Sequence, residues 1–412
     1  LQITMRFFII LLFLPYVASS DPEERMKTIE LLRHWGYPAE AVTVTTEDGY
    51  IIEMQRIPRG VNETKLSVCR PVVFLLTGLF AETSTWLKQS SSYNTLPTVL
   101  ADSGYDVWLG NFRGSGYGLK HTSLTTKDEA FWRFSWDEMA LYDLPAMIDK
   151  TLEVTGQKSL YYVGHSQGTL VMFAKLASDP EFAKKIRLNF ALAPVGSMIH
   201  IKGLLGFAAR TFKSVVKPIF RLYGDRVLFP DIEMLDSYKQ FQCKYSFGLC
   251  SIFVSLIAGP DMEQFNVTRA PIIFRHYPSG TSARNIHHWA QLINGDGMVR
   301  RFDYGTKQLN LEHYGKPVPP FYDYSAIATD TYLFWGKNDY LSTYEDLREG
   351  ILAWIKPELI KGNVRLSGYT HFDFAIGEKA VKEIFIPISK VIRDHFDWTC
   401  NEKTEIQKNS IE

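Results

Sequence analysis

A short apolar run, Leu160-Tyr161-Tyr162-Val163, passes directly into Gly164-His165-Ser166-Gln167-Gly168, and a helix-compatible run from Thr169 to Leu176 leaves it. A strand that ends in Gly-x-Ser-x-Gly and restarts as a helix has little conformational choice. Two residues without Cβ atoms permit a turn so sharp that the serine side chain stands clear of the backbone. Average glycine and serine usage gives about 0.1 chance matches to the three fixed positions in a chain of this length, and the flanking strand and helix make chance rarer. Ser166 is therefore a candidate nucleophile. Serine needs a base to take its proton, a group to hold that base, and donors for the developing oxyanion, so the rest of the chain must supply them.

The 412 residues allow two or three domains, or one core with insertions. Hydrophobic residues are 46% and aromatics 14%, enough for a large buried core. Lys plus Arg and Asp plus Glu are 45 each, which excludes the basic footprint of a nucleic-acid binder. Met5-Arg6, the apolar stretch Phe7 to Leu14 and Val17-Ala18-Ser19-Ser20 have the layout of a secretory signal peptide. Leu1 to Thr4 read as upstream sequence, and residues 1–20 are set aside from the fold. No later stretch reaches the ~20 apolar residues of a membrane helix, so no transmembrane segment is expected. Four cysteines in a secretory chain allow three connectivities. Cys243 and Cys250 would close a small loop, worth on the order of 2.5 kcal/mol of chain entropy, and are expected to pair; Cys69 and Cys400 pair or stay free. Asn62-Glu63-Thr64 and Asn266-Val267-Thr268 are glycosylation sequons.

Along the chain, Met26 to Trp35 reads as a helix stopped by Gly36-Tyr37-Pro38, and Glu47-Asp48-Gly49 between two β-branched runs signals a hairpin. Strands are expected at Val72 to Leu76, Tyr105 to Leu109, Leu160 to Val163, Leu188 to Leu192, Tyr332 to Trp335 and Val364 to Leu366. Helical stretches lie between the first four, including Met139 to Leu152, kinked or restarted at Pro145. This alternation predicts a mostly parallel sheet covered on both faces, an α/β fold. It breaks between about Val195 and Val318, read as an inserted, mainly helical cap. The expected organisation is a core first part at 21–194, the cap at 195–318, a core second part at 319–398 and a polar tail at 399–412.

Seven histidines follow Ser166: His200, His276, His287, His288, His313, His371 and His395. Only His371 falls in a loop just past a core strand, at the sheet edge where α/β sites form. Asp339, reached from the strand Tyr332 to Trp335 through Gly336-Lys337-Asn338, is the candidate orienting acid, with Asp373 a nearby rival. The order Ser166, Asp339, His371 matches that of the α/β-hydrolase fold. The oxyanion donors expected are the backbone N–H of Gln167, after the nucleophile, and of Leu79, in the loop Thr77-Gly78-Leu79-Phe80 after the third strand. No cofactor or metal site is expected. Gly114-Ser115-Gly116-Tyr117-Gly118 lacks dinucleotide spacing, and the adjacent His287-His288 would diverge by ~100° on a helix.

From about Met26 to Ile392 the chain resembles the acid lipases that include the gastric and lysosomal lipases. The resemblance rests on Trp35-Gly36-Tyr37-Pro38, Thr46-Glu47-Asp48-Gly49-Tyr50, Asn111-Phe112-Arg113-Gly114, Phe131-Trp132, Phe134-Ser135-Trp136-Asp137-Glu138-Met139 and Tyr142-Asp143-Leu144-Pro145-Ala146. It continues through Tyr162-Val163-Gly164-His165-Ser166-Gln167-Gly168-Thr169, Pro278-Ser279-Gly280-Thr281-Ser282, Tyr304-Gly305, Asn338-Asp339 and His371-Phe372-Asp373-Phe374. It implies the same triad and oxyanion donors, a movable lid in the cap, a lipid ester substrate met at a lipid–water interface, and a secreted or lysosomal enzyme active into the acidic range. The family usually reads His-Gly-Leu where this chain has Thr77-Gly78-Leu79, a change that keeps the backbone donors but removes an imidazole. A short-chain esterase or thioesterase, and a non-catalytic lipid binder on the same scaffold, are the alternatives.

Overall fold

A computed structural model describes residues 22–63, 70–88, 94–228, 247–261, 263–275 and 277–398. The apolar runs pair into one nine-stranded sheet. Its strands are β1 (Glu40–Thr45), β2 (Tyr50–Ile57), β3 (Val72–Leu76), β4 (Asp106–Gly110), β5 (Lys120–His121), β6 (Leu160–His165), β7 (Ile186–Leu192), β10 (Thr331–Gly336) and β11 (Ile360–Leu366); β8 (Val227–Leu228) and β9 (Thr281–Ser282) form a separate ribbon. The spatial order is β1-β2-β4-β3-β6-β7-β10-β11, with β5 pairing β2. The β1–β2 hairpin and the β2–β4 pair are antiparallel; from β4 to β11 every pair is parallel.

Every residue of β3, β4 and β6 is buried, which explains their unbroken apolar runs. Alternate side chains enter two different cores. Val72, Phe74 and Leu76 meet Leu160 and Tyr162 on one face, while Val73 and Leu75 meet Tyr161 and Val163 on the other. Helices α1 (Thr28–His34), α2 (Leu96–Asp102), α3 (Leu144–Thr155) and α4 (Gln167–Ser178) belong to this framework. The expected restart at Pro145 takes the form of a wide π turn, Met139–Asp143, which leads into α3 where proline has no N–H to give. β11 begins four residues before the predicted Val364 because its residues alternate between half-buried and exposed, so Lys361 and Arg365 hide the strand from an apolar-run reading.

Between β7 and β10 the chain forms α5 (Gly203–Thr211), α6 (Lys213–Tyr223), α7 (Phe247–Ala258), α8 (Ala283–Ile293) and α9 (Lys307–Tyr314). Helix α5 packs on α6 and α7, and α8 packs on α5 and α6. The expected Cys243 to Cys250 bridge, Cys69, Cys400, the leader and the tail at 399–412 fall on residues or side chains outside those described. Of the sequons, Asn62 is exposed and Asn266 half-buried.

Several motif residues without an assigned role converge on one buried ion cluster. The Arg113 guanidinium meets Asp48 at 2.6 Å and Asp143 at 2.6 Å, and lies 3.9 Å above the Tyr50 ring. Its backbone N–H also donates to Asp143, at 3.1 Å. The cluster ties the β1–β2 hairpin turn to the loop after β4 and to the π turn. Arg113→Met would leave Asp143 buried without its counter-charge, and is expected to cost about 3–5 kcal/mol in a urea titration.

The sheet order changes direction at β3: the chain steps outward to β4, then returns to place β6 on the other side of β3. The loops at the carboxyl ends of β3 and β6 therefore part and leave a crevice, the usual ligand position in open α/β sheets.

Candidate active site

Ser166 follows β6 immediately, with φ +54° and ψ −118°. Such a conformation costs a non-glycine residue on the order of 1–3 kcal/mol and persists only when its surroundings dictate it. Here the Ser166 N–H donates to Leu192 O on β7 at 3.0 Å, and Ser166 O accepts from the Thr169 hydroxyl at 2.7 Å and N–H at 2.8 Å. Both glycines of the motif are required by space. A Cβ on Gly168 would lie 2.6 Å from Leu76 O, and one on Gly164 would lie 2.9 Å from the Gly168 carbonyl carbon. The start of α4 thus presses on the end of β3.

The loops after β10 and β11 bring the other two candidates to Ser166. The Ser166 hydroxyl meets His371 Nε2 at 2.7 Å, and His371 Nδ1 meets Asp339 Oδ2 at 2.9 Å and Oδ1 at 3.1 Å. Nδ1–H facing a carboxylate leaves Nε2 as the acceptor for the serine proton. Asp339 is held in turn by the N–H groups of Leu341 and Ser342, both 2.8 Å from Oδ1. Asp373 points elsewhere: its Oδ2 accepts from the Thr370 N–H at 2.7 Å and hydroxyl at 2.8 Å, and burial pushes its carboxyl up to about 6. It shapes the turn that carries His371.

The loop after β3 lies against the nucleophile, for a Cβ on Gly78 would come within 2.8 Å of Ser166 Cβ and 3.2 Å of its Oγ. Among the described residues, neither the Leu79 nor the Gln167 backbone N–H has an acceptor. Thr77 is buried, and its hydroxyl has no partner among the described residues. A buried hydroxyl that makes no bond stabilises nothing, so Thr77→Val is expected to leave the melting temperature unchanged or to raise it.

Three supports were not anticipated from sequence. His165 Nε2–H donates to His371 O at 2.9 Å; burial first, and the nearby His371 second, lower its pKa to about 3, so the ring stays neutral and holds the His371 loop. The carbonyl of Ala258, at the end of α7, accepts from both the Tyr340 N–H (3.1 Å) and the His371 N–H (3.2 Å). Gln167 Oε1 accepts from Trp289 Nε1 at 2.9 Å and from Asn285 Nδ2 at 3.1 Å, both on α8. Adjacency to Ser166 was the only sequence signal for His165 and Gln167; for Ala258 there was none.

The other histidines are engaged away from the site. His200 meets Glu349, His288 stacks on Trp136, His313 on Tyr304 and His287 on Phe220, and His395 bonds the Tyr161 hydroxyl; His276 is outside the described residues. Among the described residues no group of three or more His, Cys, Asp or Glu side chains is placed to hold a metal, and no helix is long and apolar enough to cross a membrane.

Buried titratable groups also set the pH response of the fold. Burial pushes Asp137, Asp143 and Asp373 up to about 6 each, and lowers His165 to about 3 and His288 to about 4. A carboxyl raised in the folded state adds stability that is complete below its unfolded pKa, about 3.9, and is lost as pH rises through the folded value. A lowered histidine adds stability that is complete above about 6.5 and is lost as pH falls towards its folded value. The two sets oppose each other, but three carboxyls outweigh two histidines, so these groups are expected to raise the denaturation midpoint as pH is lowered from about 6 to 4. In Asp137→Asn the two sets balance, and the midpoint should stay nearly level through that window.

Residues 28–90 match the family described as a partial alpha/beta-hydrolase lipase region, and residues 71–207 match the alpha/beta hydrolase fold family. Lipase lipl-1 of Caenorhabditis elegans is 44% identical over 386 residues, covering 91% of this chain and 93% of that protein. Human gastric triacylglycerol lipase is 37% identical over 377 residues, covering 91% and 92%. A solved lipase candidate from Sulfolobus solfataricus shares the fold at a TM-score of 0.55 and 14% identity, covering 87% of this chain and 94% of that one.

Proposed function

The chain belongs to the acid lipase family of α/β-hydrolases and is a carboxylic ester hydrolase, and from that premise we propose a secretory-pathway lipase, secreted or lysosomal, that cleaves triacylglycerols or sterol esters through an acyl-enzyme. The observation that carries this reading is the unbroken chain of hydrogen bonds from Ser166 Oγ through His371 to Asp339. Ser166 Oγ attacks the ester carbonyl while His371 Nε2 takes its proton, and Asp339 keeps the imidazole in the required tautomer. The carbonyl oxygen, now anionic, is received by the Leu79 and Gln167 N–H groups. His371 returns the proton to the departing alcohol, then activates a water that releases the fatty acid and restores the serine.

Residues 195–318 are proposed as the cap. Phe207 on α5, Ile219 and Leu222 on α6 and Ile252 on α7 are 62%, 56%, 90% and 58% exposed, a concentration of apolar surface suited to a lipid–water interface. Ser166 is only 8% exposed, so an acyl chain enters after the cap shifts. The leader-like Met5 to Ser20 and the sequons at Asn62 and Asn266 support the secretory route.

A fluorophosphonate probe, followed by peptide mass spectrometry and an ester panel at acidic and neutral pH, tests the proposal. Label on Ser166 with rates that rise at an oil–water interface is the expected result. Label with activity confined to dissolved short-chain esters would make the protein an esterase, and no label on folded protein at any pH would make it a carrier.

A further inference from the structure

We propose that Trp289 and Asn285 of α8 are positioning residues for the oxyanion hole, acting through the side chain of Gln167; this rests on the reading above, in which the Gln167 backbone N–H receives the oxyanion. Gln167 is 1% exposed and is the first residue after the strained serine. Its Oε1 takes the Trp289 indole N–H at 2.9 Å and the Asn285 carboxamide N–H at 3.1 Å, while Nε2 reaches Met139 Sδ at 3.4 Å. Both acceptor positions of the oxygen are filled, so the amide has one orientation. The two donors stand four residues apart on α8 and so share one face of the helix.

Helix α8 is itself fixed to the framework. Ser282 caps it by accepting from the Asn285 N–H at 2.9 Å and donates to Phe134 O. The His288 ring stacks on Trp136 with centroids 4.2 Å apart, and its Nε2 meets Arg300 O at 2.9 Å. Asn285 Nδ2 is braced further by Thr281 Oγ1 at 3.1 Å. An oxyanion donor works only if it is aimed before the charge appears, and a buried amide whose oxygen takes two donors admits one arrangement where an apolar side chain would admit several. The segment between β7 and β10 therefore does more than cover the site: α8 holds the residue that carries one of its two donors.

The test is a double-mutant cycle on a dissolved ester, p-nitrophenyl butyrate, which keeps interfacial effects out of the measurement. Trp289→Phe retains the ring and removes the donor; Gln167→Met retains the backbone N–H and removes the acceptor. Each is expected to lower kcat by about tenfold, the worth of one buried hydrogen bond, with KM nearly unchanged. Each should weaken inhibition by an alkyl boronic acid, whose tetrahedral adduct places an oxygen in the hole, by the same factor. The double variant should be no slower than the slower single one. Asn285→Ala gives an independent reading in the same direction should Phe at 289 impair folding. Lower melting temperatures with unchanged kcat and boronate affinity, or losses that multiply in the double variant, would overturn the proposal. A wild-type protein that the fluorophosphonate does not label at Ser166 would instead overturn the triad reading on which it rests.

Discussion

Alanine at Ser166 is expected to lower ester hydrolysis on the order of 10⁶-fold, the loss seen when the serine of such a triad is removed. The change takes away only Oγ. Alanine at φ +54° carries the same backbone strain as serine, and the bonds of the Ser166 N–H and C=O to Leu192 and Thr169 do not involve the hydroxyl. Circular dichroism and melting temperature should therefore stay close to wild type while turnover of both emulsified triacylglycerol and dissolved butyrate ester disappears. What remains would come from the oxyanion hole and binding alone. A folded Ser166→Ala protein with wild-type turnover would place the nucleophile elsewhere.

The second large effect separates two carboxylates that sit 373 and 339 along the chain. Asp339→Asn is expected to reduce kcat/KM by about 10⁴, because an amide N–H₂ facing Nδ1 favours the tautomer with Nε2 protonated, which cannot accept the serine proton. The loop should survive, since an Asn Oδ1 can still take the Leu341 and Ser342 N–H groups that Asp339 Oδ1 takes now. Asp373→Asn is expected to stay within about tenfold of wild type, a change the size of one hydrogen bond. Its carboxyl serves Thr370 and, pushed up to about 6 by burial, is partly neutral in mild acid already. Equal losses in the two variants would show that Asp339 is not the specific partner of His371.

These residues also mark how far reading the chain alone could go. Gly164 to Gly168 was legible because strand, sharp turn and helix are local, and β3, β4, β6 and β7 were legible because burial on both faces leaves continuous apolar runs. The start of β11 was not, since its half-exposed residues interleave Lys361 and Arg365 with apolar neighbours. Choosing Asp339 over Asp373 took chain order and family resemblance, because each acid lies just past a core strand, Asp339 after β10 and Asp373 after β11, and the direction of the carboxylate is what the structure adds. Asp48, Tyr50, Arg113 and Asp143 stood out as motif residues with no role attached, for a buried ion cluster assembled from three separate stretches has no sequence period. Gln167 meets Asn285 and Trp289 across separations of 118 and 122 residues, and no local rule connects positions so distant.

The bonds from the Ala258 carbonyl to Tyr340 and His371 run entirely through main chain. Side chains on the outward side of α7 can therefore be exchanged without disturbing the distance between acid and base. The freedom stops one residue later. Gly259, at φ +137°, has the Asn338 carbonyl where a side chain would begin. Tolerance of side-chain change and intolerance of any side chain at all thus stand at adjacent positions of a single chain segment.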